Sequence, residues 1–295
     1  MSVEYAGLKS TVSTEGWSLR GIVRTSLLIA MSIPVLSLQF LLVRFSKKHW
    51  WSLAGFWHRT ACRIIGLKVH EIGQAPHGQS TLYVANHISW VDILVLGGIL
   101  KNSSFVAKSE IAGWGMIGSV CALQKTLFIN RTRRSDSLKQ RDELTDRIKD
   151  GNSLILFPEG TSTNGMQVAP FKSALFSVAE MANHGLDESL CIQPITLSYT
   201  EVNGMPLVRS QKPWVAWIGD MELLLHLKQF LGRARIVATV EYHAPISLEQ
   251  VGSRKNAALT SEQLIREGLE RAHRAEYNMG KRKHGPEKIS GKTPD

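Results

Sequence analysis

Thr81-Leu82-Tyr83-Val84-Ala85-Asn86-His87-Ile88-Ser89-Trp90-Val91-Asp92-Ile93-Leu94-Val95-Leu96 is the stretch on which the reading of this chain turns. Residues five apart on an unbroken helix point about 140° away from each other, so His87 and Asp92 cannot meet across a continuous helix. They meet if Thr81 to Ala85 is a strand, Asn86 to Ile88 a tight turn, and a helix starts near Ser89 with Asp92 in its first turn facing back toward the loop. Ser89-Trp90-Val91-Asp92 fits the serine-x-x-acid capping pattern ahead of an apolar run, which places the helix start there. A neutral imidazole whose second nitrogen bonds a carboxylate is a suitable base for an alcohol near neutral pH, because the carboxylate fixes its tautomer and stabilises the imidazolium. The other reading of the same residues makes Asp92 a helix cap and His87 a polar turn residue.

Working outward, short apolar runs alternate with helical stretches, the signature of an α/β domain. The strands expected are Leu82 to Ala85, Ser104 to Ala107, Thr126 to Ile129, Ser153 to Phe157, Ile192 to Tyr199, Val215 to Ile218 and Arg235 to His243. Leu138, Leu144 and Ile148 fall on one face of a helix that follows Ser135-Asp136 and stops at Gly151. A second helix runs from Ala174 to Asn183. Thr260-Ser261-Glu262-Gln263 reads as a capping box that opens a charged helix reaching about Tyr277.

The 295 residues suffice for one large or two ordinary domains, and a hydrophobic fraction of 43% supports a real core. The formal net charge of +10 points to a polyanionic partner, whether nucleic acid, an anionic bilayer surface or phosphorylated substrates. Three cysteines without a short paired spacing indicate neither a disulfide framework nor a zinc knuckle, and no glycine-rich nucleotide fingerprint or phosphate-cradling lysine loop is present. The N-terminus separates the polyanion readings. Ser26 to Val43 is 18 residues without a charge, at the lower edge of what crosses a hydrocarbon core, and Pro34, Gln39 and three serines weaken it as a simple span. Arg44, Lys47, Lys48, Trp50 and Trp51 follow it, as a membrane interface selects, and Leu53 to Leu67 suits an interfacial helix. An anionic membrane surface is therefore the expected partner and nucleic acid is not. The division expected is an N-terminal segment 1–19, a membrane-associated helical hairpin 20–68, a domain 69–278 and a basic tail 279–295.

Two further groups of residues carry chemistry. Phe128-Ile129-Asn130-Arg131-Thr132-Arg133-Arg134 ends a strand in three arginines, and Arg131, nearest the strand end, is the one placed to fork onto phosphate or carboxylate oxygens. Leu154-Ile155-Leu156-Phe157-Pro158-Glu159-Gly160-Thr161 breaks an apolar strand at Pro-Glu-Gly, where open α/β sheets place their ligand sites. Glu159 would repel a phosphate, so its task is to hold Arg131 or a backbone turn in place.

In this order and at these separations, the three groups resemble the glycerolipid acyltransferase family typified by bacterial 1-acyl-glycerol-3-phosphate acyltransferase. The resemblance covers Ile64 to Tyr199: His87 and Asp92 match its His-x4-Asp signature, Phe128 to Arg131 its strand ending in arginine, and Phe157 to Thr161 its Phe-Pro-Glu-Gly-Thr. Phe105-Val106-Ala107-Lys108-Ser109-Glu110 and Gln193-Pro194-Ile195 also look like family blocks. The resemblance implies an α/β fold, a single acyltransferase domain with a mixed central sheet flanked by helices, behind the membrane-binding hairpin. It implies that His87, oriented by Asp92, deprotonates the hydroxyl of a lysolipid, which attacks an acyl thioester of coenzyme A or acyl carrier protein, with no metal and no cofactor beyond that donor. Lys108, Arg131, Glu159, Gly160 and Thr161 become substrate-binding residues, backbone amides at a turn stabilise the oxyanion, and the bacterial inner membrane, cytoplasmic side, becomes the location. Many members that use a phosphate acceptor continue the last motif with arginine, whereas this chain has Ser162, and Phe171-Lys172-Ser173-Ala174 also departs from that subgroup. The sequence around Phe157 to Phe176 resembles lyso-ornithine lipid acyltransferases. The expected acceptor is lysophosphatidate, with lyso-ornithine lipid the alternative and an inactive membrane-tethered lipid-binding protein the reading from another class.

Overall fold

A computed structural model of the chain describes residues 17–45, 50–129, 137–183, 189–218 and 221–274. Its frame is an eight-stranded sheet made of β1 (Leu67–Ile72), β2 (Thr81–Ala85), β3 (Ser103–Lys108), β4 (Leu127–Ile129), β5 (Ser153–Leu156), β6 (Cys191–Val202), β7 (Met205–Pro206) and β8 (Ile236–Tyr242). The strand order is β1-β8-β6-β2-β5-β3-β4, with β7 paired to β6. Pairing is parallel except where β6 meets β8 and β7, so the sheet is mixed, as the resemblance implied.

The alternation of side chains along the strands builds two cores. On β2, Tyr83 and Ala85 enter one apolar cluster while Leu82 and Val84 enter the other; on β5, Ile155 and then Leu154 and Leu156 divide in the same way. The first cluster lies under α2 (Trp50–Ile65), α3 (Val91–Ile99) and α7 (Leu223–Gly232). The second lies under α5 (Ser137–Lys149), α6 (Ser177–Asn183) and α9 (Arg254–His273). A sheet covered on both faces needs strands that are apolar throughout, which is why β2 and β5 carry continuous apolar runs. Two smaller helices, α4 (Met116–Leu123) and α8 (Leu248–Val251), lie between these elements.

The apolar N-terminal run forms α1 (Leu19–Phe45), one continuous helix of 27 residues, about 40 Å long at 1.5 Å per residue. It is the one helix among the described residues long and apolar enough to cross a membrane. Its polar residues dock it onto the rest of the chain. The Arg24 guanidinium donates to the carbonyls of Leu231, Arg233 and Ala234 at the end of α7, Ser32 Oγ accepts from Trp57 Nε1 at 2.9 Å, and Gln39 Nε2 donates to the Trp50 and Leu123 carbonyls at 3.0 Å each. Gln39 and a serine, which interrupt the run as a simple span, thus join Arg24 in seating it. The opposite side, including Ile22, Leu27, Ile29, Ile33 and Phe40, is exposed. Helix α2 then presses on α3 where Gly97 leaves room: a Cβ there would stand 2.7 Å from the buried His58 ring. Arg59 Nη1 donates to the Gly98 carbonyl at 3.0 Å across the same contact.

Four local expectations are corrected. The interfacial helix expected to Leu67 ends at Ile65, and Leu67 opens β1, a strand the sequence did not announce. Val215 to Ile218 is not a strand; the Trp217 N–H reaches the Ile88 carbonyl at 3.0 Å instead of a ladder partner. The Ala174 to Asn183 helix is split into a 3-10 turn over Ser173–Phe176 followed by α6. Finally, α9 begins at Arg254 behind Ser253, whose hydroxyl accepts the Asn256 N–H at 3.2 Å, so Thr260 to Gln263 lies inside the helix. There Ser261 is buried, and Glu262, with one oxygen paired to Arg266 of its own helix, accepts the Phe171 N–H on the other at 2.8 Å. Arg131, residues 1–16 and the basic tail lie outside the described residues.

Candidate active site

Strands β2, β5, β3 and β6 run parallel, so their carboxyl ends share one edge, and the sequence-predicted groups gather there. The strand-turn-helix reading of Thr81 to Leu96 holds. The chain leaves β2 at Ala85, and Asn86 anchors the turn by pairing with β6: its Nδ2 donates to the Leu197 carbonyl at 2.9 Å and its Oδ1 accepts the Leu197 N–H at 2.7 Å.

The first turn of α3 then carries Asp92 back to the imidazole. Asp92 Oδ2 lies 2.8 Å from His87 Nδ1 and accepts the N–H groups of Ile88 at 2.6 Å and Ser89 at 2.9 Å; Oδ1 accepts the Tyr199 hydroxyl at 2.7 Å. The capping and orienting readings of Asp92 are therefore one arrangement. The reciprocal half of the capping box is missing, since the buried Ser89 hydroxyl has no partner and Trp90 occupies the cap. Asp92 is wholly buried, a position a carboxylate occupies only when hydrogen-bonded this fully. The His87 side chain keeps 17% of its surface exposed, and its ring stacks on Phe157 with centroids 4.3 Å apart. With Nδ1 turned to Asp92, Nε2 is the nitrogen left to face a reactant.

Glu159 completes the turn from β5. Its Oε1 accepts the His87 N–H at 2.6 Å and its Oε2 the Ala169 N–H at 2.7 Å, so of its two expected tasks the backbone-holding one is realised. Burial pushes its carboxyl up to about 7, although both N–H bonds favour the anion. Gly160 follows at φ +71°, a left-handed conformation that suits glycine, and a Cβ there would meet Lys172 Nζ at 2.8 Å. The loop beyond also clasps the histidine: Thr163 donates its N–H to the His87 carbonyl at 2.8 Å, and the Ser162 hydroxyl donates to the Trp217 carbonyl.

The structure thus joins His87, Asp92, Glu159 and Gly160. Thr161 is exposed just beyond them, and Lys108 is exposed at the carboxyl end of β3 with no bond to the pair. Sequence reasoning missed Tyr199, whose role depends on a partner 107 positions away, and Phe157 as the stacking platform of the imidazole. Among the described residues no group of three His, Cys, Asp or Glu side chains is arranged to hold a metal ion.

Comparison with known proteins gives the family of the chain. A lyso-ornithine lipid O-acyltransferase from Brucella abortus is 36% identical over 247 residues, covering 83% of this chain and 92% of that protein. A 1-acyl-sn-glycerol-3-phosphate acyltransferase from Neisseria gonorrhoeae is 32% identical over 151 residues, 50% of this chain and 55% of that one. The crystal structure of the 1-acyl-sn-glycerophosphate acyltransferase from Thermotoga maritima shares the fold with a TM-score of 0.58 at 19% identity, over 85% of this chain and 95% of that one. The family model described as acyltransferase matches residues 66–198, the span that holds the His87–Asp92 pair and Glu159, and the chain belongs to the acyltransferase family.

Proposed function

We propose that the chain is a lyso-ornithine lipid O-acyltransferase, moving an acyl group from a coenzyme A or carrier-protein thioester to the free hydroxyl of that lysolipid. The observation that carries the acceptor is the extent of similarity, which runs nearly the full length of the lyso-ornithine lipid relative but only about half of the lysophosphatidate one. Ser162 supports it: where an arginine would meet a phosphate, this chain has a hydroxyl already donated to the Trp217 carbonyl. Lysophosphatidate is the second reading, favoured by cations near the site, Lys108 at the end of β3 and Lys172 beside Gly160.

In the proposed reaction His87 Nε2 takes the proton of the acceptor hydroxyl as the oxygen attacks the thioester carbonyl. Asp92 holds the ring in the needed tautomer and stabilises the imidazolium. The N–H groups of Thr161 and Ser162, beyond left-handed Gly160, meet the developing oxyanion. Collapse expels the thiolate, which takes the proton from the imidazolium, so neither a covalent acyl-enzyme nor a metal enters. Lys108 and, following β4 in sequence, Arg131 serve the head group. The exposed side of α1 lies against the cytoplasmic side of the bacterial inner membrane.

The test offers a labelled acyl thioester with lyso-ornithine lipid and with lysophosphatidate side by side. Acylation of lysophosphatidate alone rejects the proposed acceptor. His87→Ala is expected to lower transfer by about 10² or more. Near-unchanged turnover in that variant removes His87 as the base, and no turnover in the wild type with either acceptor favours a lipid-binding protein.

A further inference from the structure

On the α9 side of the sheet, behind the loop that clasps His87, lies a cavity of about 360 Å³. The Lys212 ammonium reaches into it from a 3-10 turn over Arg209–Trp214 and is only 7% exposed. Its Nζ contacts the Tyr199 carbonyl at 3.4 Å and His273 Nε2 at 3.5 Å, and no described carboxylate pairs with it. A buried cation without a counter-ion is costly, and its natural complement is an anion. Burial pushes the ammonium down to about 8, so it is still protonated at neutral pH. A second group points the same way: the Ser198 hydroxyl, 1% exposed, lines the cavity and has no hydrogen-bond partner.

The rest of the lining selects among anions. Exposed Arg209 adds a second cation, whereas Glu201 contributes a carboxylate and the carboxyl end of α9 a partial negative charge. A phosphate dianion would be repelled by the last two, and a plain carboxylate would leave Glu201 unanswered. We propose that this cavity binds a small amino-acid zwitterion, with its carboxylate on Lys212 and Ser198 and an ammonium toward Glu201. A free diamino acid and the amino-acid head group of a lipid share a carboxylate and an ammonium; only the lipid source rests on the acyl-transfer reading above. The site would communicate with the reaction centre by two short routes. Tyr199 gives its carbonyl to Lys212 and its hydroxyl to Asp92, and His273 Nε2 lies 3.0 Å from the Gly165 carbonyl in the loop that holds His87.

Titration of the full-length His87→Ala variant tests binding with turnover silenced, so failure here and failure of the acyl-transfer reading are told apart. L-Ornithine is expected to bind, and inorganic phosphate to bind more weakly. Lys212→Met should weaken ornithine about ten- to a hundredfold, the loss of a hydrogen bond to a charged group. Should that variant not fold, Ser198→Ala, which removes only an unpartnered hydroxyl, is expected to weaken ornithine as well. No ornithine binding, unchanged affinity in the foldable variant, or tighter binding of phosphate than of ornithine overturns the proposal. Competition of lyso-ornithine lipid with bound ornithine identifies the lipid head group as the occupant, and its absence supports the free amino acid.

Discussion

Glu159 accepts the main-chain N–H of His87 at 2.6 Å, so the position of the imidazole is fixed by a carboxylate 72 residues further along the chain. Its folded-state carboxyl stands at about 7 against an ordinary 4.5. A carboxyl raised by folding adds stability that is fully present below pH 4.5 and is lost as the pH rises through about 7. Glu159→Gln has no titration, so the stability difference between wild type and variant should fall over that interval in thermal unfolding followed across pH. The glutamine can also satisfy only one of the two N–H donors, which leaves the other unpaired at a cost of about 1–3 kcal/mol and lowers transfer activity. A difference independent of pH would mean that the carboxyl does not titrate there.

Asp92→Asn separates charge from architecture. The amide oxygen can take over the place where Oδ2 meets three groups, and the amide nitrogen can donate to the Tyr199 hydroxyl, so the turn survives. What is lost is the negative charge that supports imidazolium. The melting temperature should stay near that of the wild type while kcat drops by about 10² or more. A stable, active variant would reduce Asp92 to a cap.

Tyr199→Phe deletes the hydroxyl that donates to Asp92 Oδ1 without altering the ring's packing. A hydrogen bond to a buried carboxylate is worth about 1.5–3 kcal/mol, and the loss should appear in chemical denaturation. kcat should fall less than in Asp92→Asn, because the contact to His87 runs through the other oxygen.

Gly97→Val probes the seat of the N-terminal helices. Its Cβ would stand 2.7 Å from the His58 ring, which is buried. Overpacking of this kind costs about 1–3 kcal/mol. Because α3 carries Asp92 in its first turn, activity should decline with stability, whereas a valine that leaves both unchanged would show that α2 and α3 are free to separate.

The parts of the site legible in sequence are those whose partners are near in the chain or at strand ends. Asn86 to Asp92 could be built from helix geometry and the serine-x-x-acid capping pattern, and Phe157 to Gly160 announced itself as an apolar strand broken by Pro-Glu-Gly. Tyr199 could not, because the side-chain period of β6 gives its direction but not what lies opposite. Strand β1 was hidden by Lys68, His70 and Glu71, residues that an edge strand tolerates and a central one does not. Val215 to Ile218 misled in the opposite sense, an apolar run whose burial comes from packing against the Ile88 turn. Thr260 to Gln263 shows that a capping sequence within a longer helix is silent once Ser253 has supplied the start.

Helix α1 is pinned at Arg24 near one end, at Ser32 in the middle and at Gln39 toward the other. A rod held at three points cannot roll or tilt without taking the sheet with it. Whatever surface receives its exposed apolar side therefore sets the bearing of the whole chain, and with it the compass heading of His87 Nε2. In the acyl transfer proposed above, the direction from which the hydroxyl arrives is in this sense decided by a helix that contributes no atom to the reaction.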